Sequence, residues 1–297
     1  MKAAELSYEC PKDLQEAIDI KNRWGSTGQF LAGGQSLLPA VNMRLNTSAC
    51  LIDLNRIDAL RGIRQTGERI VIGAMTRHAE IVASPLIRRH LPVLVQAGRF
   101  LAHAAIRNRG TLGGSLALFD PAAEWPAACL LLDADINTFS SAGRRTITAG
   151  RFIQGLFKTD LDEDGLIESV TIPIRSTTER SIVLEQARRL GDFASAAVMA
   201  RGVLDGRGDP WLRLVLFAIA DRPLRLEGLE RDLVEHLREG RTDRIEAIVK
   251  EALAGERIVA DLYHGAATKR HLIAVLTRRA VFALSQPDAG ETAGDEA

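Results

Sequence analysis

Two glycine-rich segments have the composition of loops that bind phosphate groups. They are Ala32-Gly33-Gly34-Gln35-Ser36 and Thr111-Leu112-Gly113-Gly114-Ser115. The diphosphate of a dinucleotide is negatively charged, and backbone N–H groups approach it closely where no Cβ blocks the way. The hydroxyl that ends each loop, on Ser36 or Ser115, is a further donor. Together the two loops predict a site for a dinucleotide diphosphate.

Each loop alone is weak evidence, because Gly-Gly pairs also occur in hairpins and tight turns. Neither loop has the Gly-x-Gly-x-x-Gly spacing of a Rossmann site or the Gly-Lys-Ser/Thr ending of a P-loop. The pair is more informative. Both loops combine Gly-Gly with a serine and a following leucine, and both lie where one secondary-structure element is expected to give way to another.

No catalytic or metal-binding pattern accompanies the loops in the sequence. Cys10, Cys50 and Cys129 are far apart, and an iron–sulfur cluster normally takes four thiolates, so this chain alone cannot supply one. The six histidines form neither a zinc pattern with these cysteines nor a triad with a carboxylate and a hydroxyl. We therefore expect no catalytic residue and no metal ligand in this chain, and idle thiols in a reducing compartment.

The overall composition excludes several other classes of protein. Lys plus Arg and Asp plus Glu both number 38, so the basic excess of a nucleic-acid-binding surface is missing. The longest apolar run ends at Asp133 and is too short to cross a membrane, and the N-terminus lacks the apolar core of a signal peptide. We expect a cytoplasmic protein without a nucleic-acid partner or a membrane span.

The elements that position the first loop alternate between helix and strand. Pro11 begins an amphipathic helix that extends to Trp24, and residues 29–32 form a short buried strand. After the loop, Leu37 opens a second helix, and residues 51–54 form a second strand. The first loop is thus expected to join a strand to a helix.

A second block surrounds the second loop. Residues 69–74 are a predicted strand, and Thr76 is expected to cap a helix over residues 77–84. Residues 107–115 are too rich in glycine for a regular element. Residues 167–174 close the block as a strand, and Pro173 predicts that this strand lies at a sheet edge.

A third block follows a polar segment, residues 175–180, which is the expected domain boundary. The pattern predicts three antiparallel strands and then helices. The strands are residues 183–189, 193–204 and 212–220, and the helices are residues 226–238, 244–254 and 269–284. Residues 286–297 are acidic and contain Gly and Pro, which predicts a disordered tail.

The sequence resembles the FAD-binding (medium) subunit of molybdenum hydroxylases, the xanthine dehydrogenase and carbon monoxide dehydrogenase family. The resemblance covers residues 1 to about 284 and rests on several ordered motifs. The motifs are residues 31–39, 72–76, 106–117, 120–124, 188–194 and 270–272. It implies an α+β fold: a bipartite FAD-binding domain of the vanillyl-alcohol-oxidase/p-cresol-methylhydroxylase type, followed by a C-terminal α+β domain. The corresponding ranges are 1–176, with subdomains 1–56 and 57–176, and 177–285.

The same resemblance implies the residues that bind FAD. They are Ala32, Gly33, Gly34, Gln35, Ser36, Thr111, Gly113, Gly114, Ser115 and Asp120. Without the resemblance, Asp120-Pro121 is typical of a helix N-cap followed by proline at the first helical position. One departure concerns the flavin itself, because Glu185 stands about where the family often has a lysine near the isoalloxazine. A carboxylate there would disfavour an anionic reduced flavin.

The resemblance also implies a function. The chain is expected to be the electron-transfer subunit of a multi-subunit molybdenum dehydrogenase that contains molybdopterin and iron–sulfur clusters in partner subunits. It would take electrons from the iron–sulfur small subunit and pass them to an external acceptor, beside a large molybdopterin subunit, in a dimer of heterotrimers. The alternative is a stand-alone flavin-dependent oxidoreductase of the same fold.

Overall fold

The computed structural model describes residues 3–175 and 179–286. The predicted tail therefore lies outside the described residues except for Gln286, as does the middle of the predicted domain boundary, residues 176–178. The strands of the described residues are β1 (Ser7–Glu9), β2 (Gly28–Leu31), β3 (Cys50–Asp53), β4 (Ile63–Thr66), β5 (Arg69–Gly73), β6 (Asp135–Ser140), β7 (Gly143–Thr148), β8 (Ile153–Gly155), β9 (Lys158–Thr159), β10 (Leu166–Pro173), β11 (Arg180–Gln186), β12 (Ala196–Val203) and β13 (Trp211–Phe217).

The helices range from one turn to the 20 residues of the last one. They are α1 (Leu14–Trp24), α2 (Leu37–Asn42), α3 (His78–Ala83), α4 (Pro85–His90), α5 (Pro92–Phe100), α6 (Ala104–Arg107), α7 (Leu112–Leu118), α8 (Glu124–Leu131), α9 (Ala149–Phe152), α10 (Glu227–Arg238), α11 (Ile245–Ala252) and α12 (Ala266–Ser285). None of these helices is both long and apolar enough to cross a bilayer, as far as the described part of the chain goes.

The first unit is a parallel three-stranded sheet in the order β1-β3-β2, with α1 packed against it. Helix α1 begins after Asp13, whose side chain accepts a hydrogen bond from the Glu16 N–H at 2.8 Å, and not at Pro11 as predicted. The buried Lys21 ammonium donates to the carbonyls of Gly25 and Gly28, both at 2.9 Å. These bonds hold the end of α1 against the start of β2, the strand that leads into the first glycine loop.

The second unit is an antiparallel sheet in the order β4-β5-β10-β6-β7. The prediction that Pro173 marks an edge strand was wrong, because β10 lies at the centre between β5 and β6. Proline is tolerated here because it is the last residue of β10, and the pairing with β6 ends earlier, at Thr171. Its missing N–H therefore falls outside the β6 ladder.

The predicted cap of α3 was also wrong. Its N-cap is Arg77, whose N–H donates to the Glu80 carboxylate at 2.6 Å. The Thr76 hydroxyl instead donates to the Gly62 carbonyl at 3.1 Å. The helix itself lies within the predicted residues 77–84, so only the capping chemistry was misassigned.

The third unit contains the predicted antiparallel strands, in the order β11-β12-β13, and the predicted helices α10, α11 and α12. Every residue of β12 is buried. Ala197 and Met199 pack into the core of the second unit, whereas Val198 and Ala200 pack under the three helices. The mixture of helices and sheets confirms the α+β class. The division at residues 176 and 177 remains a prediction.

Candidate functional site

A cleft of about 680 Å³ is lined by residues of all three units. Its volume lies within the range of about 300–1,000 Å³ that is usual for ligand sites. All ten residues that the sequence predicts for FAD line it, in both glycine loops and at Asp120. The third unit contributes Gly191, Asp192 and Phe193. The structure therefore brings the two loops, about 75 residues apart in the chain, to one place.

The first loop joins β2 to α2, as predicted. Gly34 has a φ of +74°, a backbone conformation that other residues adopt only with strain. Its carbonyl accepts the N–H of Leu38 at 3.1 Å, and the Gln35 amide donates to the Gly33 carbonyl at 3.1 Å. In both of these hydrogen bonds a carbonyl of the loop is the acceptor. The loop leads into α2, and the first N–H groups of a helix have no acceptor within the helix.

The second loop is more regular than predicted. Residues 107–115 were expected to exclude a regular element, but α7 begins at Leu112 and includes both glycines. The Thr111 hydroxyl caps the helix by accepting the Gly114 N–H at 3.1 Å, and this offsets the poor helix propensity of glycine. Gly113 is required for space, because a Cβ there would lie 2.6 Å from the Cβ of Ala74.

The first loop lies against the second loop and against residues 109–110, which lead into it. A Cβ on Gly33 would collide with the carbonyl of Arg109 and would lie 2.7 Å from the Cα of Gly110. A Cβ on Gly114 would lie 3.4 Å from the Cβ of Ala32. Position 33 therefore requires glycine because the neighbouring backbone leaves no room for a side chain, whether or not a ligand also approaches it.

Sequence reasoning missed a side-chain bridge that ties the loops together. The Asn55 amide donates to the carbonyl of Ala32 at 3.0 Å, and Arg77 donates both to the Asn55 side-chain oxygen and to the carbonyl of Arg109. Burial, followed by the charges of Arg61 and Arg109, lowers the pKa of Arg77. One sequence signal was available: Asn55 directly follows the strand predicted over residues 51–54.

Asp120 lies in the cleft but does not cap a helix. Its carboxylate accepts the Ala122 N–H at 2.8 Å in a turn, while α8 begins later and has Ala123 as its N-cap. The reading of Asp120-Pro121 as a helix start is therefore wrong. Burial raises the pKa of Asp120, and the hydrogen bond from Ala122 opposes that rise.

Burial also shifts other titratable groups at the cleft towards their neutral forms. Burial lowers the pKa of His78 to about 4, helped by the charges of Arg77 and Arg107, and its Nδ1 accepts a hydrogen bond from the Trp125 indole at 2.8 Å. Burial also raises the pKa of Glu124, which lines the cleft, to about 7. At neutral pH the histidine therefore carries no charge, and Glu124 is partly protonated.

Burial favours the protonated form of Glu185, the residue expected to place a carboxylate near the flavin, and Glu185 is not among the described residues that line the cleft. Burial raises its pKa to about 9, and the neighbouring charge of Glu124 raises it further. Its Oε1 is buried without a hydrogen-bond partner among the described residues. The residue therefore adds no negative charge to this side of the molecule at pH 7.

Comparison with known proteins identifies the fold and the cofactor. Residues 4–175 match the family model described as the FAD binding domain in molybdopterin dehydrogenase. The chain belongs to this family. The medium subunit of nicotine 6-hydroxylase from Paenarthrobacter nicotinovorans is 35% identical over 283 residues, which cover 95% of this chain and 98% of that protein.

Solved structures of similar proteins have the same fold. Carbon monoxide dehydrogenase from Hydrogenophaga pseudoflava, in a form that lacks the Mo-pyranopterin moiety of its cofactor, superposes with a TM-score of 0.88 at 30% identity, covering 96% of this chain and 100% of that one. Quinoline 2-oxidoreductase from Pseudomonas putida 86 gives a TM-score of 0.87 at 31% identity, over 96% of this chain and 98% of that one. The family and the fold class inferred from the sequence are confirmed.

The cleft fits the FAD of this molybdopterin dehydrogenase family. It is large enough for a dinucleotide-sized ligand, and residues of both glycine loops line it. Within the described residues, no three His, Cys, Asp or Glu side chains gather to hold a metal ion. Which of the ten residues contact FAD remains a prediction.

Proposed function

We propose that this FAD subunit carries electrons from an iron–sulfur small subunit to an external acceptor, in a complex whose large subunit holds molybdopterin. The observation that carries this proposal is the single cleft formed by two interlocked glycine loops in a chain of this family. Burial shifts His78 and Glu124, which line the cleft, towards their neutral forms. Electron transfer needs no general acid or base, so it is compatible with side chains that burial shifts towards neutral forms.

The loops of this chain would hold the diphosphate of FAD. Backbone N–H groups of Gly33 to Ser36 would approach it from one side. On the other side, the first N–H groups of α7 already donate to Thr76, Ala74 and Thr111, so the Ser115 hydroxyl would be the donor from that loop. The Asn55–Arg77 bridge fixes the separation of the two loops. When bound, FAD supplies the redox chemistry, and the protein supplies position and electrostatic environment.

The relatives support an assembly of several subunits. The nicotine 6-hydroxylase relative is itself named a medium subunit, and we propose that this chain likewise joins a large and a small subunit in a dimer of heterotrimers. We also propose a cytoplasmic location, because Cys10, Cys50 and Cys129 are free thiols, as is usual in a reducing compartment.

Purification of the native complex tests this function. We expect an affinity-tagged chain to co-purify with an iron–sulfur and a molybdenum subunit, and expect FAD, iron and molybdenum in one particle. Reduction of the complex by its substrate should then bleach the flavin, and a screen of NAD, quinones and cytochromes should identify the acceptor. A lone chain that contains flavin and turns over a substrate by itself would contradict the proposal and would support the stand-alone oxidoreductase.

A further inference from the structure

A second crevice, of about 100 Å³, shares no lining residue with the FAD cleft. It lies where the junction of α4 and α5 meets strands β11 and β12. Its volume is several times the roughly 10–15 Å³ that a single water needs. The crevice therefore has room for a ligand of a few heavy atoms.

Arg201 of β12 lines the crevice, and its side chain is only 2% exposed. Its Nη1 donates to the Glu179 carboxylate at 3.3 Å, whereas its Nε and Nη2 are buried and have no hydrogen-bond partner among the described residues. These two N–H groups form one edge of the planar guanidinium and point in the same direction. Such an edge can bind two oxygens of a carboxylate or phosphate at once.

Two more buried polar atoms on the crevice lack partners. The hydroxyl of Ser181 and the second carboxylate oxygen of Glu179, Oε2, make no hydrogen bond within the described chain. Ser181 lies directly opposite Arg201 in the β11–β12 ladder, so both side chains project from the same face of the sheet. Unpaired buried donors and acceptors are unfavourable, and four of them lie on residues that line one crevice.

The start of α5 adds a favourable field for an anion. Leu91, Pro92 and Val93 line the crevice, and the N-cap residue Leu91 has no side-chain oxygen to cap the nine-residue helix. The positive end of the helix dipole therefore lies at the crevice, while Pro92 has no N–H to donate and the Leu94 N–H donates to the Leu91 carbonyl at 2.9 Å.

The charges around the crevice are mostly positive. Arg89 and Arg175 line it together with Arg201, and Glu179 is the only carboxylate among its described lining residues. Arg175 is already paired with Asp133 at 2.8 Å. Burial lowers the pKa of Arg201 to about 10, while the charge of Glu179 opposes this. An additional anion beside Arg201 would favour its charged form.

We propose that this crevice binds a small protonated oxyanion of the hydrogen phosphate type. Two of its oxygens would accept the Nε–Nη2 edge of Arg201, a third would accept the Ser181 hydroxyl, and its own O–H would donate to Glu179 Oε2. The anion would connect β11 and β12 to the start of α5. The Glu179 carboxylate favours hydrogen phosphate over sulfate, because sulfate has no proton to donate to it at neutral pH.

Thermal unfolding of the full-length chain, saturated with FAD, tests the proposal. Saturation with FAD keeps phosphate out of the glycine loops. At pH 7 and constant ionic strength, we expect the unfolding temperature to rise with phosphate along a saturable curve, to rise less with sulfate, and to be unaffected by chloride. The absence of a phosphate effect, or an equal response to sulfate and phosphate, would overturn the proposal.

Variants locate the effect in the crevice. Arg201→Lys keeps the charge next to Glu179 but removes the two-pronged edge, and we expect the half-saturating phosphate concentration to rise about tenfold or more. Ser181→Ala, which tests the site if the Arg201 variant fails to fold, should raise it by a smaller factor. Arg238→Lys on α10, exposed and distant in the sequence, is the control. Half-saturation that stays at the wild-type value in both crevice variants would exclude the site, and flavin absorbance of the same samples reports FAD binding separately.

Discussion

The FAD cleft has two kinds of lining, one formed by the backbone of the glycine loops and one formed by titratable side chains. The glycine loops present backbone, and their geometry depends on the absence of side chains at Gly33 and Gly113. The other part includes His78 and Glu124, and burial shifts both of these side chains, together with Glu185, whose charge interacts with that of Glu124, towards their neutral forms. The first part should therefore respond to added volume and not to pH, and the second should respond to pH. This difference can be tested by substitution.

The largest effect is expected for Gly33→Ala. The added Cβ would collide with the Arg109 carbonyl, a backbone atom that no rotamer change can move, so the loops must separate. Overpacking of this kind costs about 1–3 kcal/mol even where the structure yields. We expect loss of the flavin absorbance of the purified chain, with a far-ultraviolet circular dichroism spectrum like that of the wild type.

The matched control for this variant is Gly228→Ala in α10. A Cβ there meets nothing within 4 Å, and alanine in a helix is favoured over glycine by about 1 kcal/mol. This variant should keep its flavin and unfold at the wild-type temperature or above it. If Gly33→Ala binds flavin as well as Gly228→Ala does, the loops do not need their mutual contact.

A smaller effect is expected for Gly34→Val. The positive φ of Gly34 disfavours any L-residue by about 1–2 kcal/mol, and a Cβ would lie 2.8 Å from the flexible Leu38 side chain. We expect weaker FAD binding, measured as the dissociation constant in a fluorescence titration of the apoprotein. An unchanged constant would contradict the assignment of the first loop to the cofactor.

The titratable region is tested by Glu185→Gln. The raised pKa of Glu185 means that the folded chain holds a proton that the unfolded chain releases above its ordinary pKa of 4.5. Its contribution to stability is present at low pH and is lost as the pH rises through about 9. We expect the unfolding temperature of the wild type to fall between pH 7 and pH 9, and that of the variant to fall less.

The interval from pH 7 to pH 9 avoids the titration of His78, whose pKa is about 4 in the folded chain and 6.5 ordinarily. Glu227→Gln, an exposed residue on α10, is the control and should keep the wild-type slope. Equal slopes for the wild type and Glu185→Gln would show that this carboxyl is not protonated in the folded state. Flavin content should be unchanged in both variants.

The smallest effect is expected for Gly114→Ala. A Cβ there would lie 2.9 Å from the Thr111 hydroxyl, which can rotate away at the loss of a helix cap worth about 1 kcal/mol. We expect a slightly lower unfolding temperature and nearly normal flavin content. A complete loss of flavin would show that space for the ligand, and not the cap, requires glycine at this position.

Sequence reasoning predicted the features that depend on local pattern. It identified the two loops, the three strands of the third unit and the order of the final helices, because glycine, alternation and amphipathic spacing are local signals. It failed for Pro173, because the position of a strand within a sheet depends on distant partners. It failed for Asn55 and Arg77 for the same reason, since their hydrogen bonds join segments 22 or more residues apart.

Strand β12 has a practical consequence for protein engineering. Alternate residues of β12 belong to two different hydrophobic cores. The sheet that contains β12 therefore packs against the FAD-binding units on one face and against the C-terminal helices on the other. A shortened chain that ends at residue 175 would expose the apolar surface that Met199, Val215 and Phe217 normally cover. Residues 1–175 are therefore not expected to fold well on their own, and a chimaera that contains them should retain the sheet β11-β12-β13.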